Sequence, residues 1–131
     1  MKLAVRTLVV PLLACAGAHA QPPAVAPEQI AVGSKPYAVQ ASIAGAGRYT
    51  VIFESGFGTG LNAWRKVAPE LAKDARVLTY SRAGHGTSEA RPEPRTIAQN
   101  TNELEQLIAA QKLAPPFILV GHSYGGRLAR A

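Results

Sequence analysis

Phe117-Ile118-Leu119-Val120-Gly121-His122-Ser123-Tyr124-Gly125-Gly126 is the stretch whose reading decides the fold. Four apolar residues in a row, Phe117 to Val120, are what a parallel strand buried on both faces requires. A glycine-rich segment follows at once, with Ser123 at its centre, and a helix can open at Tyr124. In such a strand–turn–helix the serine sits on a very tight turn in a strained backbone conformation. Residues two before and two after it nearly touch, so Gly121 and Gly125 have no room for side chains, and Gly126 extends the run. Strain of this kind costs about 1–3 kcal/mol and persists where function requires it.

Upstream, the pattern alternates. Thr96 caps a helix that carries Ile97, Thr101, Leu104, Leu107 and Ile108 on one face and Lys112 near its C-terminal end, and Pro115-Pro116 stops it. Arg76 to Tyr80 reads as a strand, followed by a loop from Ser81 to Pro94. Before it, Asn62 is placed to cap a helix with Trp64, Val67, Ala68, Leu71 and Ala72 inward, which Pro69 must kink or restart. Gly56, Gly58 and Gly60 open a loop after a β-branched and aromatic strand, Tyr49 to Phe53. Tyr37 to Ile43 is a further strand between turns at Gly33–Pro36 and Gly45–Gly47. Strands alternating with helices predict a doubly wound, mostly parallel α/β sheet.

The N-terminus is of another kind. Lys2 and Arg6, a short apolar run from Leu8 to Cys15 and the small-x-small stretch Ala18-His19-Ala20 read as a secretory signal over residues 1–20. The run is too short to span a bilayer. The other readings are an uncleaved interfacial anchor, or lipidation at Cys15, because Leu12-Leu13-Ala14-Cys15 resembles a lipobox. Residues 21–29, with Pro22, Pro23 and Pro27, read as a flexible Pro/Ala leader, and 30–131 as the folded part. The expected location is secreted or periplasmic, with membrane contact only through the signal or an anchor.

Composition bounds the rest. Of 131 residues, 47% are hydrophobic and 17% charged, an ordinary globular balance and one domain's worth. Signal cleavage would lower the net charge from +6 to +4 by taking Lys2 and Arg6. The remaining basic residues are scattered, with no stripe or recognition motif for nucleic acid. Cleavage would also remove Cys15, the one cysteine, and with it disulfides, a thiol nucleophile and cysteine-ligated zinc. No residue pattern implies a metal or organic cofactor.

Gly121-His122-Ser123-Tyr124-Gly125 matches the G-x-S-x-G nucleophile elbow in the strand–turn–helix context that motif needs. The Ser123 hydroxyl would point into a site, and the start of the following helix would aim free N–H groups at a developing oxyanion.

Three segments together resemble the α/β-hydrolase superfamily, in its esterase, lipase, haloperoxidase and peptidase-like branch. Glu54-Ser55-Gly56-Phe57-Gly58 resembles the oxyanion loop after the third strand. Tyr80-Ser81-Arg82-Ala83-Gly84-His85-Gly86-Thr87-Ser88 resembles the Y-D-R-x-G-x-G-x-S loop after the fourth. Leu119 to Gly126 resembles the elbow after the fifth. The resemblance covers about eighty residues, Val51 to Arg130, the N-terminal half of that fold. It implies Ser123 as nucleophile, with the backbone N–H groups of Phe57 and Tyr124 as oxyanion hole. The identity of Phe57 should then matter less than the freedom of Gly56 and Gly58. Two positions depart from the family pattern: Ser55 replaces the usual His, and Ser81 replaces the usual Asp, which removes an expected partner for Arg82. The dehalogenases and epoxide hydrolases of this superfamily place Asp at the elbow, so serine points away from their chemistry.

The order Ser, then Asp or Glu, then His is not completed, because no acid or histidine lies between Tyr124 and Ala131. His122 reads as a loop residue beside the elbow. His85 can line the site but does not take the place of the triad base, and His19 leaves with the signal. The expectation is therefore a fragment of a secreted serine hydrolase acting on esters or related small acyl substrates, inactive and insoluble or molten by itself. Its sheet edge at Phe117–Val120 would be unpaired. The alternatives are a non-catalytic interaction or scaffold protein on a degenerate hydrolase fold, or a truncated relic.

Overall fold

Alternating apolar residues in the first two strands, and unbroken apolar runs in the next three, determine the sheet. The computed structural model describes residues 26–131. The expected signal over 1–20, with Cys15 and His19, and leader residues 21–25 lie outside the described residues. The sheet has the order β1-β2-β4-β3-β5, built from β1 (Glu28–Val32), β2 (Tyr37–Ala44), β3 (Thr50–Glu54), β4 (Arg76–Tyr80) and β5 (Phe117–Gly121). β1 and β2 pair antiparallel, and β2 runs antiparallel to β4. β3 is parallel to both β4 and β5. β1 begins at Glu28, so Glu28 and Gln29 belong to the sheet and not to the leader expected over 21–29.

β3 lies between β4 and β5, and every one of its residues is buried. One face of the sheet packs Val39, Ile52, Leu78 and Tyr80 against Leu104 and Leu107 of α2 (Ile97–Ala110). The other packs Val51, Phe53 and Val77 against Trp64, Ala68 and Ala72. The Thr96 cap is as expected: its side chain accepts the Gln99 N–H. Ile97, expected on the inner face of that helix, is 41% exposed, and the buried face also takes in Asn100 and Glu103.

The segment after β3 differs from the expected single helix. A 3₁₀ turn, Leu61–Trp64, precedes a short α1, Ala68–Leu71. Asn62 lies within the 3₁₀ turn, and Gly60 occupies the N-cap position. Pro69 stands in the first turn of α1, where its missing N–H costs nothing, so the helix restarts. Two separate turns cannot present one continuous stripe, and Val67 and Leu71 are exposed rather than packed.

β5 lies at the edge of the sheet among the described residues, with Ile118 45% and Leu119 40% exposed. Its apolar run therefore has the composition of a central strand in an edge position. Among the described residues no helix is long and apolar enough to cross a membrane.

Candidate active site

The C-terminal ends of β3, β4 and β5 lie side by side, and the three loops singled out from the sequence leave from those ends. This is where the crevice of an open α/β sheet forms.

At the end of β5 the chain turns through Ser123 at φ 54, ψ −117 and enters α3 (Tyr124–Leu128). A non-glycine residue with positive φ there is strained, as the motif requires. Two short bonds close the turn: Gly125 N–H to His122 C=O at 2.9 Å and Gly126 N–H to Ser123 C=O at 3.0 Å. His122 N–H donates to Glu54 C=O at 3.0 Å, which ties the elbow to the end of β3. A Cβ on Gly121 would lie 2.6 Å from the Gly125 carbonyl group, and one on Gly125 would strike the Glu54 backbone. Those two glycines are structurally required. Gly126, grouped with them from the sequence, is not: the nearest atom to an added Cβ is 3.7 Å away, an ordinary contact.

Ser123 is exposed at the surface of this turn. Among the described residues, no hydrogen bond engages its hydroxyl, the N–H of Tyr124 or the N–H of Phe57. The Phe57 side chain is 82% exposed and meets the Tyr124 ring edge-on at 6.1 Å. His122 is exposed, and its Nδ1 would lie 3.1 Å from a Cβ added at Gly56, so the imidazole lies against the backbone of the loop after β3. His85 Nδ1 contacts the Ala83 carbonyl at 3.3 Å. Neither imidazole bonds to Ser123.

The departures at Ser55 and Ser81 are both accommodated. Ser55 Oγ accepts from Trp64 Nε1 at 2.9 Å and donates to Gly60 C=O at 3.0 Å. Ser81 Oγ accepts the Leu61 N–H at 3.1 Å and donates to Gln40 Oε1 at 3.0 Å, while its carbonyl accepts from Ser88 Oγ at 2.5 Å. The loop after β4 thus packs through serines and Gln40.

Arg82 does not lack a partner. It is 3% exposed and pairs with Glu54, 1% exposed, at 3.3 Å. Sequence reasoning quoted Glu54 only as part of a loop; an acidic residue closing an otherwise apolar buried strand was the available signal. Burial pushes the Glu54 carboxyl above its usual range, against hydrogen bonds from Tyr80 and Arg82 that pull it down. Burial and the neighbouring Glu54 hold the Tyr80 phenol well above its ordinary value. A second buried carboxylate, Glu103, accepts from Tyr37 at 2.9 Å, Ala83 N–H at 3.1 Å and Arg95 at 3.1 Å, anchoring the β4 loop to α2.

Comparison with known proteins agrees with this architecture. The chain is 37% identical over 81 residues to the uncharacterized protein YqjL of Bacillus subtilis, covering 62% of this chain and 32% of that protein. A hydrolase from Pseudomonas aeruginosa superposes with a TM-score of 0.69 at 27% identity, over 78% of this chain and 38% of its own. The epoxide hydrolase CorEH superposes at 0.71 with 23% identity, over 80% of this chain and 36% of its own, a likeness of fold. The chain spans about a third of the length of these proteins. A family model described as alpha/beta hydrolase fold matches residues 49–131, and the chain belongs to that family.

Proposed function

We propose that this chain carries the nucleophile and oxyanion hole of a serine hydrolase acting on esters or related acyl compounds. Ser123 Oγ attacks the acyl carbon, and the carbonyl oxygen takes the charge under the N–H groups of Phe57 and Tyr124. The leaving group departs with a proton to give an acyl-enzyme, and water then releases the acid. The base that takes the Ser123 proton would be a histidine oriented by an acid, following Ser123 in the chain order of this fold. The observation that carries the reading is an exposed serine on a strained elbow, with the main-chain N–H groups of Tyr124 next to it and of Phe57 in the neighbouring loop both unengaged. Such strain is retained where function requires it, and one oxyanion donor is worth roughly 10²–10³ in rate.

The P. aeruginosa hydrolase, at 27% identity, agrees with hydrolysis in general. Epoxide opening is disfavoured by chemistry: a serine hydroxyl needs a base and a carbonyl acceptor to form a hydrolysable acyl ester. Export through residues 1–20 belongs to the same proposal, with Gln21 as first residue of the mature protein; N-terminal sequencing of protein from its native host tests it.

The deciding experiment treats the complete gene product with a fluorophosphonate and maps the adduct. Modification at Ser123, lost in Ser123→Ala, is the expected result. A folded protein that remains unmodified overturns the reading in favour of a non-catalytic scaffold.

A further inference from the structure

We propose that Arg82 is a positioning residue for the oxyanion hole, holding the Gly56–Phe57 peptide so that the Phe57 N–H faces the Ser123 hydroxyl. The inference rests on the acyl-transfer reading of Ser123 and Phe57. Arg82 Nη1 donates to the Ser55 carbonyl at 2.8 Å, and Nη2 donates to the Gly56 carbonyl at 2.6 Å. Two successive carbonyls are thus gripped by one planar fork. In a planar trans peptide the C=O and the N–H point in opposite directions. Fixing the Gly56 carbonyl inward, on a residue that is itself buried, turns the N–H of the same peptide outward. That N–H belongs to Phe57.

The hold is stiff for three reasons. Hydrogen bonds from a guanidinium are about twice as strong as neutral ones. The fork is itself immobilised by Glu54 Oε2 at 3.3 Å and by the Tyr124 ring, whose centroid lies 5.4 Å from the guanidinium carbon. Tyr124 is the residue that offers the second donor, so one cation touches both halves of the hole. The Gly56 carbonyl also accepts from Thr59 Oγ1 at 3.1 Å and Thr59 N–H at 3.4 Å, which completes its enclosure. A cation on a carbonyl also polarises the peptide, making its N–H a better donor.

This explains how an acidic residue at the end of β3 and an arginine after β4 serve a loop that neither enters. Glu54 neutralises the buried charge, and Arg82 spends its hydrogen bonds on the backbone. A purely structural ion pair would stabilise the fold without favouring the transition state. The two roles separate experimentally.

Arg82→Lys in the complete gene product keeps the charge but offers no planar fork for two carbonyls. Backbone amide NMR and steady-state kinetics on a short-chain ester are measured together. The Phe57 amide resonance is expected to move while core amides of β3 and β4 hold still. On the kinetic side, kcat should fall about 10–10²-fold, as a displacement near 1 Å at a catalytic group does, with KM within about twofold. Affinity for a boronic acid that mimics the tetrahedral adduct should fall in proportion to kcat. An unmoved Phe57 amide, or kcat lost only in step with thermal stability, overturns the inference. If Arg82→Lys does not fold, Glu54→Gln/Arg82→Gln, which buries no unpaired charge, is read in the same way. Failure of the wild type to react with a fluorophosphonate at Ser123 sinks the acyl-transfer reading instead, and the Phe57 amide still decides the positioning.

Discussion

Trp64 donates its indole N–H to Ser55 Oγ across 2.9 Å, joining the 3₁₀ turn to the loop that leaves β3. Ser55 in turn donates to the Gly60 carbonyl, so one hydroxyl closes the loop from both sides. The position that resembles the His of an H-G loop therefore performs a structural task with a smaller side chain.

Ser55→Ala is expected to destabilise the protein by about 1–3 kcal/mol, because a buried acceptor and the indole donor lose their partner together. Urea unfolding of the complete gene product measures it. Since Arg82 grips the Ser55 backbone and not its side chain, Phe57 stays in place and kcat changes little. A variant as stable as wild type would show that water replaces the hydroxyl.

Ser123→Gly should be more stable than Ser123→Ala. Both remove the hydroxyl and abolish fluorophosphonate labelling. Glycine tolerates φ 54, ψ −117 without strain, whereas alanine keeps the strain of the serine. The glycine variant is expected to gain about 1 kcal/mol, the part of the strain left after the added unfolded-state entropy. Equal midpoints for the two variants in chemical denaturation would mean that the elbow stores no strain.

The elbow glycines are not equivalent. Gly125→Ala drives a methyl into the Glu54 backbone and should unfold the elbow or abolish labelling. Gly126→Ala meets only ordinary contacts inside α3 and should be neutral or stabilising by up to about 1 kcal/mol, from helix propensity. Comparing labelling rate and thermal midpoint for both variants checks this; a crippled Gly126→Ala would reveal a contact made by chain outside the described residues.

That pair shows how far sequence reasoning reached. The G-x-S-x-G spacing predicted which backbone segments meet and that Gly121 and Gly125 have no room for a side chain, because a tight turn dictates both, and Gly126 merely extends the run. The strands from Tyr37 to Val120 were readable because apolar patterns this regular, alternating in β2 and continuous in β3 and β5, have few alternatives. β1 was obscured by the Pro-rich stretch beside it, since Glu28 and Gln29 face solvent and only Ile30 and Val32 are buried. The Asn62 cap failed because Pro69 allowed the chain to break into two turns. Least readable were the buried charges. Glu54, Arg82 and Glu103 look like surface residues until the folded chain supplies their partners, most of which lie 20 or more positions away.

The Glu54 carboxyl supplies the pH prediction. Its folded pKa lies above the usual 4.5, with burial the largest cause. Tyr80 and Arg82 face it directly, and the charge of Glu103 opposes its ionisation. Tyr80 stays neutral throughout the acid and neutral range, because its own pKa is raised well above 10. A carboxyl whose pKa rises on folding binds its proton more tightly in the native state. The stability it contributes is then full below about pH 4.5 and is lost as pH rises through the folded value. Glu54→Gln keeps the shape and one acceptor but cannot ionise. The difference in unfolding free energy, wild type minus Glu54→Gln, should therefore decline as pH climbs from about 4.5 towards neutrality, in urea titrations at constant ionic strength. A difference that grows with pH would mean that the Arg82 pair outweighs desolvation and that Glu54 is ionised in the folded protein well below its usual range.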